Sequence, residues 1–139
     1  MRSYLNKLML SLLLLSKLSY ASLTAEDMIK HCYSSTTISS AINNCLYNNY
    51  NKIRKELHST FNELNQRIES QQKYVTHYNI LRKKITVSQK NWQNSVSADC
   101  LMEAYVYEKE SYAFFSTNYS CLIDRYAQRI DYYLNFKFM

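Results

Sequence analysis

The sequence predicts an all-α protein, a small helical bundle built around a long antiparallel helical hairpin and stapled by two disulfides. Three observations support this fold class. The 139 residues contain no glycine and no proline, where average usage would give roughly ten and seven. Apolar residues recur at helical spacing along two long segments, and four cysteines form an even set. Because β-hairpin turns commonly need glycine, an all-β fold is disfavoured.

The missing glycines also exclude several kinds of functional site. The chain has no Gly-rich loop for a phosphate or a dinucleotide, no Gly-flanked nucleophile elbow and no EF-hand glycine. No cofactor is expected from the sequence.

Residues 1–21 are predicted to be an export signal that is cleaved. The segment starts with the cations Arg2 and Lys7, continues with an apolar run and ends on small residues suited to a signal peptidase. A spanning helix would need about 20 apolar residues, and Lys17 interrupts this run too early. The mature chain is expected to comprise residues 22–139 as one helical domain, either periplasmic or secreted.

Removal of the export signal is expected to lower the charge of the chain, and no lipid anchor is expected at the cleavage point. Residues 1–21 hold three cations and no acid, so the formal charge falls from +6 to +3. The first cysteine is Cys32, too far from the cleavage point for a lipoprotein signal. The clusters Lys52/Arg54/Lys55 and Arg82/Lys83/Lys84 are interpreted as solvated helix faces, and no nucleic-acid partner is expected.

Apolar spacing predicts the helices in chain order. Thr24 opens a short first helix with acids in its first turn. A long helix follows on a stripe with steps of three or four: Ile42, Leu46, Tyr50, Ile53, Leu57, Phe61, Leu64 and Ile68. After a turn near 69–73, a second stripe predicts another long helix: Tyr74, Tyr78, Leu81, Ile85, Trp92, Val96 and Cys100. A loop over 108–117 and a last helix over about 119–134 complete the bundle.

Cys32, Cys45, Cys100 and Cys121 are predicted to form two disulfides, since the chain is small and exported. Three pairings are possible. Cys45 and Cys100 could face each other across the hairpin, or each cysteine could pair with its neighbour in sequence. Sequential pairing is slightly favoured because it ties both flanking helices to the hairpin, and the sequence leaves the choice open. No metal site is predicted, because the chain has no Cys-x-x-Cys.

Several residues carry a resemblance to a known family. Gln89 and Trp92, followed by Cys100, are similar to the Gln-x-x-Trp…Cys core of the LprI-like family of small exported helical proteins. Leu57 and Phe61 match its Leu-Asn-x-x-Tyr element, and Cys121 with Arg129 matches its closing Cys…Arg element.

The resemblance covers about residues 30–134, and Cys32 and Cys45 match the family's first two cysteines. It implies structural roles for Leu57, Phe61, Gln89, Trp92 and Arg129. The chain departs from the family pattern at Val96 and Ser97, where Arg-Asp is common, and at His58, which replaces asparagine.

The family takes its name from a lysozyme inhibitor, so the resemblance implies a protein partner and inhibition of a peptidoglycan-cleaving glycosidase. The candidate binding segment is the one between Tyr105 and Tyr119, because aromatic residues of this kind are enriched at interfaces. It holds Tyr105, Tyr107, Tyr112, Phe114, Phe115 and Tyr119. Charge opposes inhibition of an animal lysozyme, since these enzymes are typically basic and would repel a protein with a net charge of +3.

The alternative function is an interaction module of the cell envelope or of host contact that has no lysozyme activity. An enzyme is not predicted, because no His or Glu pair has the spacing of a metal or acid–base site on one helix. No catalytic residue is therefore proposed from the sequence. The oligomeric state is not predicted.

Overall fold

The computed structural model describes residues 24–138. The expected export signal and cleavage point lie outside this range. Four helices make up the described chain: α1 (Ala25–Ser35), α2 (Ser39–Ser70), α3 (Tyr78–Ala104) and α4 (Tyr112–Leu134). The all-α helical bundle is confirmed for this part of the chain. None of the described helices is long and apolar enough to cross a membrane.

Helix α1 begins where its polar first turn predicts. Thr24 and Asp27 form a capping box, in which Thr24 Oγ1 accepts a hydrogen bond from the Asp27 amide at 3.2 Å. The Thr24 amide donates in return to the Asp27 carboxylate at 3.3 Å. The Thr24 hydroxyl also donates to the Asp27 carboxylate at 2.7 Å, and the two bonds that the carboxylate accepts lower the pKa of Asp27, because they stabilise its charged form.

Helix α2 buries the stripe that the sequence predicts. Leu46, Ile53, Leu57, Leu64 and Ile68 are buried, and the remaining members of the stripe are partly buried against the same core. Thirty-two residues long, α2 extends about 48 Å at 1.5 Å per residue. It is the longest helix of the described chain and sets its length.

The second long helix starts later than its stripe suggests. Tyr74 lies in the 71–77 connection and is 81% exposed, so its assignment to the buried stripe of α3 is wrong. The other members of that stripe are buried or partly buried, from Tyr78 through Cys100. Tyr74 lies four residues before Tyr78 and so matches the helical spacing by chance. The turns over 71–77 place it outside the helix.

The last helix starts earlier than the sequence suggests. The connection covers 105–111, and residues 112–117, expected in a loop, belong to α4. Two local features explain the boundary. Glu110 has φ of 67°, which turns the chain sharply, and Ser111 Oγ accepts a hydrogen bond from the Phe114 amide at 3.1 Å as an N-cap.

Helix α4 forms the centre of the bundle. It packs most extensively on α2 and next on α3, whereas α2 and α3 contact each other at few positions. The expected hairpin is thus present in connectivity, but its two arms are held apart by α4 rather than packed together. Tyr126 shows this arrangement, because its ring lies 5.7 Å from that of Tyr50 on α2 and 5.4 Å from that of Trp92 on α3.

The structure forms the sequential disulfides. Cys32 joins Cys45, with Cα atoms 5.6 Å apart, and Cys100 joins Cys121, with Cα atoms 5.5 Å apart. The first bond ties α1 to α2 and the second ties α3 to α4. Because α4 separates α2 from α3, the cross-hairpin alternative of Cys45 with Cys100 is excluded.

Candidate functional site

A polar cluster around Arg129 joins α3 to α4. Arg129 Nε donates to Gln89 Oε1 at 3.4 Å, and its Nη2 donates to Ser88 Oγ at 3.1 Å. The Tyr133 hydroxyl also donates to Gln89 Oε1. The Arg129 guanidinium carbon lies between 4.7 and 5.1 Å from the ring centres of Trp92, Tyr132 and Tyr133. Both the charge and the hydrogen bonds of Arg129 are therefore directed within the fold.

The other two motif residues lie on α2. Leu57 is buried, and the Phe61 ring lies 5.5 Å from the Tyr133 ring. Burial raises the pKa of the Tyr133 hydroxyl, and the neighbouring Arg129 acts in the opposite direction. Phe61, Gln89 and Trp92 thus contact α4, which carries Arg129, and Leu57 is buried in the same core, so the contacts of this set help to hold α4 between the long helices.

Both disulfides lie toward one end of the molecule. We call residues 31–51 and 91–123 the disulfide end, because they contain all four cysteines. Asn49 supports the first disulfide by donating to Cys32 Sγ at 3.2 Å. Tyr119 on α4 stacks on Tyr50 of α2, with ring centres 5.7 Å apart. The helices are therefore cross-linked at this end both covalently and through aromatic contacts.

The six aromatic residues expected to bind a partner lie at the disulfide end but differ in exposure. Tyr105, Tyr107 and Tyr112 are about half exposed, whereas Phe114 is only 5% exposed. Phe115 and Tyr119 are partly buried, with ring centres 6.4 Å apart. The Phe114 ring meets the Tyr105 ring edge-on at 5.2 Å. Phe114 therefore packs beneath the surface of this end, and the three tyrosines are the residues that a partner could contact.

The disulfide end also presents residues that the sequence reasoning missed. Tyr33 on α1 lines a hollow of about 280 Å³ together with Tyr107 and Tyr112. Val106 is highly exposed beside them in the loop. We call Tyr33, Tyr105, Val106, Tyr107 and Tyr112 the aromatic patch. Tyr33 could have been included from the sequential pairing, because the Cys32–Cys45 bond holds the end of α1 at the start of α2.

Local charge at the disulfide end is opposite in sign to that of the whole chain. Asp99, Glu103, Glu108 and Glu110 face a single cation, Lys109, for a formal charge of −3. Just outside this region, Asp124 and Arg125 cancel each other, and the cations Lys30, Lys52 and Lys90 border it. The two ion pairs formed by these groups, Lys109–Glu110 at 3.9 Å and Arg125–Glu103 at 3.7 Å, are solvent exposed. The end of α3 and the loop over 105–111, which carry most of the aromatic patch, are therefore acidic.

The tyrosine hydroxyls behind the patch stay protonated near neutral pH. Burial raises the pKa of Tyr119, and the neighbouring Tyr47 and Tyr50 raise it further. Burial likewise raises the pKa of Tyr126 to about 12. These groups can act as neutral hydrogen-bonding side chains, and they place no charge beneath the acidic surface.

A cleft between α2 and α3 forms a concave surface near the centre of the molecule. It has a volume of about 540 Å³, and Tyr126 of α4 is part of its lining. Its other lining residues are Arg54, Lys55, Leu57, His58, Phe61, Asn62, Gln89 and Gln93. His58 Nε2 lies 3.3 Å from Asn62 Nδ2. Within residues 24–138, no three His, Cys, Asp or Glu side chains are grouped so that they could hold a metal ion.

Comparison with known proteins identifies one family. Residues 32–132 match the family model described as lysozyme inhibitor LprI. The matched range includes all four cysteines and all five motif residues: Leu57, Phe61, Gln89, Trp92 and Arg129. No curated protein and no solved structure matches the chain significantly.

Proposed function

The chain belongs to the family of lysozyme inhibitor LprI, and from that premise we propose that it is an exported protein that inhibits a lysozyme by binding it. The observation that carries the proposal is the match over residues 32–132, which takes in both disulfides and most of the helical bundle. Two disulfides also suit a protein that folds in an oxidising compartment, either the periplasm or the extracellular medium. The proposed action is binding and involves no catalysis.

The aromatic patch is the surface that we assign to the lysozyme. Its tyrosines offer large, rigid contact area, and its disulfides fix the helices that carry them. A lysozyme acts through carboxylates that flank the scissile bond in a substrate cleft. A protein that covers this cleft with the loop over 105–111 would exclude the cell-wall polymer without contacting the catalytic carboxylates themselves.

The local charge of the end of α3 and the loop over 105–111 counteracts the repulsion expected from the net charge of +3. Interactions between exposed charges are screened over about 8 Å at physiological ionic strength. Along α2 the disulfide end stops at Asn51 and the basic end starts at Gln66, about 22 Å further along the helix. A basic lysozyme that approaches the aromatic patch is therefore exposed to the local charge of −3, which favours association.

The test is a titration of the oxidised chain from Ser22 onward against a panel of basic and acidic lysozymes, read as lysis of cell-wall substrate. We expect saturable inhibition near equimolar ratios, strongest for the basic enzymes. The double variant Tyr107→Ser/Tyr112→Ser should raise the inhibition constant at least tenfold, as expected for the loss of interface anchors. Tyr74→Ser is the matched control, because Tyr74 is exposed at the opposite end.

Binding should also be measured directly, so that inhibition is separated from capture. An inhibitor-bound lysozyme that still cleaves a short soluble substrate would show that the protein binds beside the cleft rather than over it. Absence of both binding and inhibition at large molar excess would contradict the proposal. In that case the alternative is a partner in the cell envelope or the host that has no lysozyme activity.

A further inference from the structure

The end of the molecule opposite the disulfides carries a strong positive charge. We call residues 66–86 and 132–138 the basic end, because α2 ends there, α3 begins there and the chain after α4 returns to it. These residues include Arg67, Lys73, Arg82, Lys83, Lys84 and Lys137 but a single acid, Glu69, for a formal charge of +5. More than the whole net charge of the mature chain is therefore concentrated at this end.

Most of these cations have no internal partner. Arg67 is used within the fold, because it donates to the carbonyl oxygens of Tyr133 and Leu134 at the end of α4. The other five side chains form no ion pair within residues 24–138, where the two ion pairs found involve Lys109 and Arg125. Lys73, Lys83, Lys84 and Lys137 are solvent exposed, so their charges are available to an external anion.

Apolar and aromatic side chains are exposed among these cations. Tyr74 is 81% exposed and Ile80 is 57% exposed. They line a hollow of about 600 Å³ with Lys84, Lys137 and Phe138. The Phe138 ring lies 5.4 Å from that of Phe136, so the chain after α4 adds aromatic surface to the same hollow. The basic end thus combines free ammonium groups with apolar groups that are open to water.

We propose that the basic end binds the surface of an anionic phospholipid bilayer. Lysine and arginine near such a surface are attracted by the lipid phosphates, and tyrosine and other amphipathic rings favour the headgroup region. A bilayer would take up both features at once, whereas a soluble polyanion would neutralise the cations and leave Tyr74 and Ile80 in water. The protein would lie peripherally, with the disulfide end directed away from the lipid.

The proposal is tested by sedimentation with vesicles, using the oxidised chain from Ser22, because every contact described above lies within residues 24–138. Mass spectrometry confirms that residues 1–21 are absent, since their apolar run would itself bind lipid. We expect the protein to bind vesicles of phosphatidylcholine with 30% phosphatidylglycerol, and pure phosphatidylcholine only weakly. Binding to the anionic vesicles should decrease as salt is raised from low to high concentration.

Two variants with the same change in net charge locate the binding surface. Lys83→Ala/Lys84→Ala should weaken partitioning roughly 25-fold, about fivefold for each lysine near the surface. Lys52→Ala/Lys55→Ala is the matched control, because both lysines are exposed on the middle of α2, and it should change partitioning less than threefold. Tyr74→Ser should cause a further loss that persists at high salt, since it removes apolar contact.

Three results would overturn the proposal. The first is an absence of binding to the anionic vesicles at low salt. The second is an equal loss in the two double variants, which would show that net charge rather than the basic end governs the interaction. The third is competition by a soluble polyanion such as heparin with no effect of Tyr74→Ser, which would identify a polyanion as the ligand. None of these readouts depends on lysozyme inhibition, so the two proposals can fail separately.

Discussion

The two ends of this molecule are stabilised by different means and carry opposite charges. At the disulfide end, two covalent bonds join the four helices in pairs and the formal charge is −3. At the basic end, the described residues contain no disulfide, the formal charge is +5, and the helices meet through the Arg67 contacts with α4 and through apolar packing. The difference shows that the net charge of the chain describes neither of its two ends.

The comparison also suggests a division of labour along the long axis. A protein attached to lipid through its basic end would hold its aromatic patch about 48 Å from the attachment, the length of α2. Cross-links at the far end would keep the patch rigid, which reduces the entropy lost on binding. The residues of the two ends do not contact each other, so each end can be altered by substitution alone. The difference between the ends can therefore be tested.

The largest expected effect comes from breaking the disulfide end. The double variant Cys100→Ala/Cys121→Ala should lower the free energy of unfolding by about 3 kcal/mol, because the bond closes a loop of some twenty residues. Urea unfolding monitored by circular dichroism measures it. Hydrogen exchange should show increased opening at the start of α4 and little change near Ile68. An even increase along the whole of α2 would contradict the idea that the two ends are stabilised separately.

A smaller loss is expected from the cluster that joins α3 to α4. Arg129→Met should lower the free energy of unfolding by about 2 kcal/mol, since it leaves Gln89 without its charged donor. Arg125→Met is the matched control one turn away, because Arg125 forms only an exposed ion pair with Glu103, and it should change stability by less than about 0.5 kcal/mol. Thermal and urea unfolding of both variants would show the difference. Similar losses would indicate that Arg129 contributes no more than a surface charge.

A third effect concerns the middle of the bundle, where α4 meets both long helices. Burial raises the pKa of Tyr126 from 10.0 to about 12, so the folded state keeps this proton more tightly than the unfolded state. The resulting stability is present in full below pH 10 and is lost as the pH rises toward 12. The loss should amount to roughly 2 kcal/mol.

Unfolding free energies at pH 9, 10, 11 and 12 measure this dependence, and Tyr126→Phe provides the control. The variant should show a shallower decrease over the same range, with lysine titration contributing equally to both proteins. Identical slopes would show that Tyr126 ionises as readily in the folded chain as in the unfolded one. The difference in phenolate absorbance near 295 nm between the unaltered chain and Tyr126→Phe offers an independent check of the same proton.

The sequence predicted which faces of α2 are buried but could not identify what buries them. Leu46, Leu57 and Leu64 recur at helical spacing, and this period fixes a buried face whatever the partner is. Most of this face is covered by α4 rather than α3. This arrangement depends on contacts between residues that are far apart in the sequence. The same limit applies to the candidate site. Tyr33 joins Tyr107 only because a disulfide and a turn bring distant segments together.

Local signals explain the errors as well as the successes. Phe114 lies in a polar and aromatic stretch without clear period, so the start of α4 was missed, although Ser111 is a favoured N-cap residue. The opposite charges of the two ends of the molecule also could not be predicted from the sequence. The acids between Asp99 and Glu110 and the cations between Arg82 and Lys84 both belong to the neighbourhood of α3. The two groups are separated in space because the cations lie just after the start of α3 and the acids lie around its end.

The smallest expected effects come from the two caps of α4, one at each end of the molecule. Ser111→Ala removes the N-cap acceptor and should cost about 1 kcal/mol at any salt concentration. Arg67→Met removes a cation from the carboxyl-terminal end of α4. It should lower the free energy of unfolding by about 1 kcal/mol at low salt, and this loss should become smaller as the salt concentration is raised. Urea unfolding at low and high salt distinguishes the two mechanisms.

The double variant Ser111→Ala/Arg67→Met then tests whether the ends are independent. The two caps are separated by 23 residues of helix, about 35 Å, a distance at which effects on stability normally add within about 0.5 kcal/mol. We therefore expect a combined loss equal to the sum of the single losses. A coupling clearly above that limit would mean that α4 transmits a change at one end to the other. A partner bound to the aromatic patch would then alter the basic end as well, and the two surfaces could no longer be treated as separate sites.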